Sequence, residues 1–183
     1  MRYYKKLVGD KIYLSPIRME DAPKYTEWLA DMATAERIGN ACNLMSEDSE
    51  RQWVVDQTTG GAYQFGIIRR EDDVLMGNCG IFDISGVHRF ATVGLFIGEA
   101  SNRGKGYGAE ALRLMLMYAF DYLNLNSVML TVYDFNENAI ACYKKVGFRE
   151  CGRRRQAYFS GGSYHDRVEM DILRDEWNAL NAK

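Results

Sequence analysis

With 183 residues, 47% of them apolar, and a formal net charge of -2, the chain suits one domain over residues 1–183 and excludes a general nucleic-acid binder. Cys42, Cys79, Cys142 and Cys151 are scattered, with no CxxC pair and no clustering with His88 or His165, so reduced thiols and no metal site are expected. Met1 to Lys11 lacks an apolar run of signal type, and no window approaches the ~20 apolar residues that span a bilayer, which reads as a soluble cytoplasmic protein without a membrane partner.

Lys11 to Arg18 alternates as a first strand through Ile12, Leu14 and Ile17. Met19 to Pro23 has the acidic residues and early proline of a helix start, and that helix runs Tyr25, Trp28 and Leu29 inward to about Asp31. Ser46 opens a second helix carrying Trp53, Val54 and Gln57, stopped by Gly60-Gly61. Tyr63–Arg70, Val74–Asp83 and His88–Gly98 then read as an antiparallel meander. A long helix follows from about Gly106 to Leu123, with Ala109, Leu112, Leu116, Ala119, Phe120 and Leu123 at helical spacing. Ser127–Tyr133 is a strand, Asn136–Lys145 a short helix closed by Gly147, and Phe148–Phe159 with Ser163–Leu173 a hairpin about Gly161-Gly162. The basic triplet Arg153-Arg154-Arg155 falls on that hairpin and reads as strand decoration. The expected fold is α/β, a mixed, twisted sheet of about seven strands with helices on both faces.

Arg103-Gly104-Lys105-Gly106-Tyr107-Gly108 sits between a strand and the long helix. The first amides of a helix lack intrahelical acceptors and carry the positive end of its dipole, which suits a pyrophosphate. A Walker A loop is excluded because Lys105 is followed by Gly106 rather than Ser or Thr. Gly104, Gly106 and Ala109 fit GxGxxA, but the preceding strand closes a meander. No acidic residue ends the next strand about 20 residues on, Asp134 lying about 30 beyond.

Arg103-x-x-Gly106-x-Gly108 resembles the (Q/R)xxGx(G/A) signature of the GNAT superfamily of N-acetyltransferases. Asn136 to Phe148 resembles that family's NxxAIxxYxKxGF segment, and the resemblance extends over roughly Asp10 to Leu173. It is nearest to the branch of ribosomal-protein N-terminal and spermidine acetyltransferases, through the opening LSPIRMEDAPKYTEWLAD and the closing GGSYHDRVEMDIL. The resemblance implies acetyl-CoA as cosubstrate and an amine acceptor. Leu95, Phe96 and Ile97 would hold the pantetheine arm by backbone bonds at a bulge where two strands splay. Arg103, Gly104, Lys105, Gly106, Tyr107 and Gly108 would hold the pyrophosphate, Arg103 and Lys105 adding charge at the rim. Asn136 would bond the pantetheine, and Tyr143 would stand near the sulfur. The family's AEIG strand reads Ala91-Thr92-Val93-Gly94 here, so the carboxylate some members use is absent at Thr92; the usual following proline is missing too.

Acyl transfer from a thioester needs a neutral amine, an oxyanion donor and an acid for the thiolate. Tyr143 suits the acid, since a phenol of pKa ~10 stays protonated at neutral pH. A strand amide near Phe96 or Ile97 suits the oxyanion donor. Asp83, Glu99 and a water chain are the alternatives for the base. Cys142 adjoins Tyr143 but points about 100° away on a helix, a poor nucleophile. An alkyl ammonium near pKa ~10.4 costs ~4 kcal/mol to deprotonate at pH 7, an α-amine near ~8 only ~1. Glu20 to Asp56 holds nine acidic and three basic side chains, net -6. This charge could draw a cationic acceptor such as a polyamine or basic peptide, or simply line two solvated helix faces. His88 and Tyr164-His165-Asp166 could line the acceptor mouth. The rival class is a non-catalytic acyl-CoA-binding module, and on a homodimer the sequence is silent.

Overall fold

The computed structural model describes residues 3–182. Its sheet has eight strands: β1 (Leu7–Val8), β2 (Ile12–Pro16), β3 (Tyr63–Arg69), β4 (Leu75–Ser85), β5 (Phe90–Ile97), β6 (Ser127–Tyr133), β7 (Arg149–Ser160) and β8 (Ser163–Leu173). The spatial order is β1-β2-β3-β4-β5-β6-β8-β7, and every neighbouring pair is antiparallel except β5 with β6. The strand beyond the expected seven is β1, two residues in the charged N-terminal stretch. Its pairing with Leu14 and Tyr13 carries it, rather than any pattern of its own.

Six helices pack on the sheet: α1 (Ala22–Ala30), α2 (Met32–Arg37), α3 (Glu47–Thr59), α4 (Tyr107–Met117), α5 (Glu137–Val146) and α6 (Arg174–Asn181). Helix α4 and the neighbouring α5 cover the face on which Val93, Val128, Leu130 and Val168 are buried. Tyr25, Trp28 and Val54 of α1 and α3 form a second cluster on the other face, with Phe96 packed against it. Alternation along β5 thus sends Leu95 and Ile97 to one layer and Phe96 to the other. The expected long helix ends as an α-helix at Met117 and continues as one π turn, Tyr118–Tyr122.

Ser46 caps α3 with its side chain accepting from the Ser49 N–H, and Gly60 closes it. α2 was not expected; Asp31 caps it by accepting from the Thr34 N–H. Six residues with only Thr34 and Ala35 buried are too short to show a period.

Two carboxylates lie inside the helical layer. Asp21 accepts from the Tyr3 hydroxyl at 2.7 Å, and Glu50 is 3% exposed. Burial raises the pKa of both above the ordinary carboxylate range. A raised pKa means the folded state holds the proton more tightly than the unfolded one. The penalty is therefore absent at acid pH and grows as pH rises through the carboxylate range. Glu50→Gln is accordingly expected to raise Tm by about 2–5 °C at pH 7 and to leave it unchanged near pH 3.5, read by scanning calorimetry at both values.

Candidate active site

The site is built where β5 and β6 part. The two strands pair in parallel at Phe90↔Ser127, Ala91↔Val128 and Thr92↔Met129, and no further among the described residues. Beyond Thr92, β5 continues to Ile97 against β4, while β6 continues to Tyr133 against β8. A fork opens between them, with Thr92 at its apex.

The register of β5 on β4 is unbroken from Gly77↔Ile97 to Phe82↔Thr92; the irregularity falls between Phe82 and Ser85. The bulge expected at Leu95–Ile97 is therefore not there, and the strands splay by divergence alone. The Gly98 N–H bonds to the Met76 carbonyl at 2.9 Å. Antiparallel alternation then commits the main-chain groups of Gly94 and Phe96 to β4 and turns those of Val93, Leu95 and Ile97 toward the vacated edge. Phe96 thus differs from its expected part: its backbone belongs to the ladder, and its ring packs edge-on to Trp28 at 5.9 Å.

The loop from β5 to α4 ends in Gly104 (φ 74°) and Gly106 (φ 90°), left-handed conformations that side chains resist. Gly106 caps α4 without any side-chain acceptor, and the first helical bond runs from the Glu110 N–H to the Gly106 carbonyl at 3.0 Å. Among the described residues, none of the amides from Gly104 to Ala109 donates to a protein acceptor. This row of unpaired donors at a helix N-terminus, with Gly104 and Gly106 leaving no Cβ over it, is a fitting cradle for a diphosphate. Lys11 Nζ donates to the Lys105 carbonyl at 3.2 Å, placing a second cation beside Lys105.

Arg103 is turned inward, contrary to the rim position expected for it. Its Nε donates to the Ile97 carbonyl at 3.0 Å, and Nη2 to the Gly98 carbonyl and Thr34 Oγ1, both at 2.7 Å. Burial, with Arg37 adding repulsion, lowers its pKa. The guanidinium is a strut joining the end of β5 to α2, and its own amide is spent on the Ala100 carbonyl. Thr34, 69 positions away, is a partner that local sequence could not reveal.

Across the fork, Asn136 caps α5 and is half-buried. Tyr143 lies on α5 against Phe148, ring centroids 6.3 Å apart, and its hydroxyl bonds to no described residue. Burial raises its phenol well above the ordinary value. Burial likewise raises the Cys142 thiol, which removes it as a thiolate nucleophile.

On the α1–α3 side lies a cleft of about 850 Å³ that reaches β5 at Gly94–Phe96 and is walled by Trp53, Gln57, Gln64, Asn78, Phe82 and Asp83. Asp83 lines it from a left-handed backbone, φ 52°. Glu99 is engaged elsewhere: Lys24 at 2.8 Å and the Trp28 indole at 3.0 Å hold its carboxyl below the ordinary range. His88 stacks on Phe90 and His165 packs on Phe135, neither lining the cleft. The cleft's carboxamides, Gln64 and Asn78, escaped sequence reasoning. Strand alternation puts both on the Phe82 face, but only the position of α3 makes that face a cleft.

An Acetyltransferase (GNAT) domain model matches residues 11–149, so the chain belongs to the GNAT family and is an acetyltransferase. It is 30% identical over 166 residues, 85% of this chain and 89% of the relative, to a Bacillus subtilis (strain 168) protein named "Putative ribosomal N-acetyltransferase YdaF". It is 33% identical over 99 residues to the spermidine N(1)-acetyltransferase of Escherichia coli (strain K12), covering 54% of this chain and 53% of that one. Among solved structures, spermidine N-acetyltransferase from Vibrio cholerae in complex with CoA and spermine aligns with a TM-score of 0.84. The alignment covers 92% of this chain and 99% of that chain at 22% identity, a likeness of fold. Among the described residues no helix is long and apolar enough to cross a membrane.

Proposed function

We propose that the protein transfers an acetyl group from acetyl-CoA directly onto a primary amine, either the α-amine of a peptide or a polyamine-like molecule. The observation that carries this reading is the row of unpaired amides from Gly104 to Ala109 beside the open edge of β5. Those amides and Lys105 hold the diphosphate, and the vacated edge at Leu95 and Ile97 receives the pantetheine, with Asn136 opposite. The thioester then lies at the fork and the amine enters from the cleft on the α3 side.

The amine nitrogen adds to the thioester carbon. Negative charge gathers on its oxygen, where an amide of the vacated edge donates. As the carbon–sulfur bond breaks, the Tyr143 hydroxyl gives its proton to the sulfur, and the proton leaving nitrogen passes to Asp83 or water. A thiol near pKa ~8.5 is already a tolerable leaving group, so this acid adds rate rather than making the reaction possible. The TM-score match to a structure solved with CoA supports the cosubstrate.

The test is calorimetry with coenzyme A followed by thiol release from acetyl-CoA over an amine panel. Micromolar binding and amine-dependent release are expected. Absence of coenzyme A binding would remove the phosphate cradle and the proposal with it.

A further inference from the structure

The cleft bears on the acceptor, given the reading of the site above. Residues Glu20 to Asp56 carry a net charge of -6, yet none of their nine carboxylates lines it. The structure uses eight of them elsewhere, and the ninth, Asp48, is exposed on the first turn of α3. Asp31 caps α2, Glu47 pairs with Arg51, Glu27 with Lys24, and Glu36 bonds to Ser160. Asp56 accepts from Gln52, Glu20 pairs with Arg18, and Asp21 and Glu50 are buried. The only carboxylate among the cleft-lining residues is Asp83.

Carboxamides take the place that acids would fill. Gln64 Nε2 donates to Gln57 Oε1 at 3.1 Å, tying β3 to α3. The Gln64 side chain lies across Gly80, in space that a Cβ there would occupy, coming within 2.2 Å of its Oε1. That leaves the Gln64 oxygen as an acceptor and the Gln57 amide hydrogens as donors. Asn78 makes no side-chain hydrogen bond with any described residue and offers both kinds of group. Trp53 packs edge-on to Tyr25 at 5.9 Å, and Phe82 lies over Gly94, so the apolar walls are set as well.

We infer that the acceptor is an α-amine next to an amide carbonyl, the N-terminal residue of a peptide or an aminoacyl conjugate, and not a linear polyamine. A peptide group brings one donor and one acceptor, which carboxamides match in both senses. A polyamine brings only N–H donors and further positive charge. Its first ammonium can use Asp83, but the others meet amide NH₂ groups and aromatic walls without a counter-charge. The α-amine is also the easier nucleophile to free, with a pKa ~8 against ~10.4 for an alkyl ammonium.

The test takes the full chain with acetyl-CoA at pH 7.5 and compares two N-terminally free tetrapeptide amides, beginning with Ser and Ala, with spermidine and butylamine. Thiol release and product mass are the readouts. The peptides should exceed spermidine in kcat/KM by at least roughly tenfold, since a site built for hydrogen bonding rejects a ligand that leaves its groups unpaired. Spermidine equal to or better than the peptides overturns the inference while leaving the acetyltransferase reading intact. Coenzyme A binding without release by any amine removes both. Gln57→Glu on exposed helix α3 and Asn78→Asp on β4 each add a carboxylate to the cleft. At least one that folds should move the spermidine-to-peptide ratio toward spermidine by roughly tenfold. No movement in either folded variant counts against the inference.

Discussion

Gly106→Val is expected to weaken coenzyme A binding at least ~100-fold, a loss of about 2.7 kcal/mol. Gly106 caps α4 at φ 90°, in the left-handed region that a β-branched residue adopts only under strain. To relieve the strain the backbone must rotate at that residue, and rotation re-aims the amides of Gly106 and Tyr107 out of the row they form with their neighbours. The valine side chain would also stand over the row, where no Cβ stands now. The nearest atom to such a Cβ is Lys11 Nζ at 3.8 Å, so the loop has room and the fold survives. Calorimetric titration with coenzyme A reads the effect, and a melting curve checks that the variant is folded. Affinity within threefold of the parent would mean that the phosphates are held elsewhere.

Tyr143→Phe is expected to lower kcat by roughly 10–100-fold, at the modest end for a general acid because the thiolate is a fair leaving group. The KM for acetyl-CoA should change less than about twofold, since the lost interaction forms as the carbon–sulfur bond breaks. Phenylalanine fills the same space against Phe148, so stability is kept. The pH dependence gives a second reading. Burial holds the Tyr143 pKa well above its ordinary value, so the acid stays protonated across the working range. The parent should show no alkaline decline from this group below about pH 10, and the variant should lie below it by a constant factor throughout. Unchanged kcat would leave Tyr143 as a packing residue of α5.

Legibility in the sequence followed the reach of each signal. β6 and β8 were readable to their end residues because alternation and turn chemistry are local. The left-handed turns at Gly104 and Gly106 were readable because glycine spacing before a periodic helix already states a backbone geometry. β1 and α2 were not, having too few residues for a period and depending on partners distant in the chain. Arg103 looked like a rim cation because its type and motif position say so. Its orientation is decided by the carbonyls of Ile97 and Gly98 and by Thr34, which only the packed chain brings together. The net charge of α1–α3 left two readings open, a charged cleft or solvated helix faces: each carboxylate was visible, but whether it faced a cap, an arginine or the cleft was a tertiary matter.

Only three residue pairs stitch β5 to β6. Local opening in a folded protein begins where few backbone bonds hold, so this line is the compliant seam of an otherwise continuous plate. A ligand laid along it would add rungs that the chain omits, stiffening the junction between the two parts of the sheet.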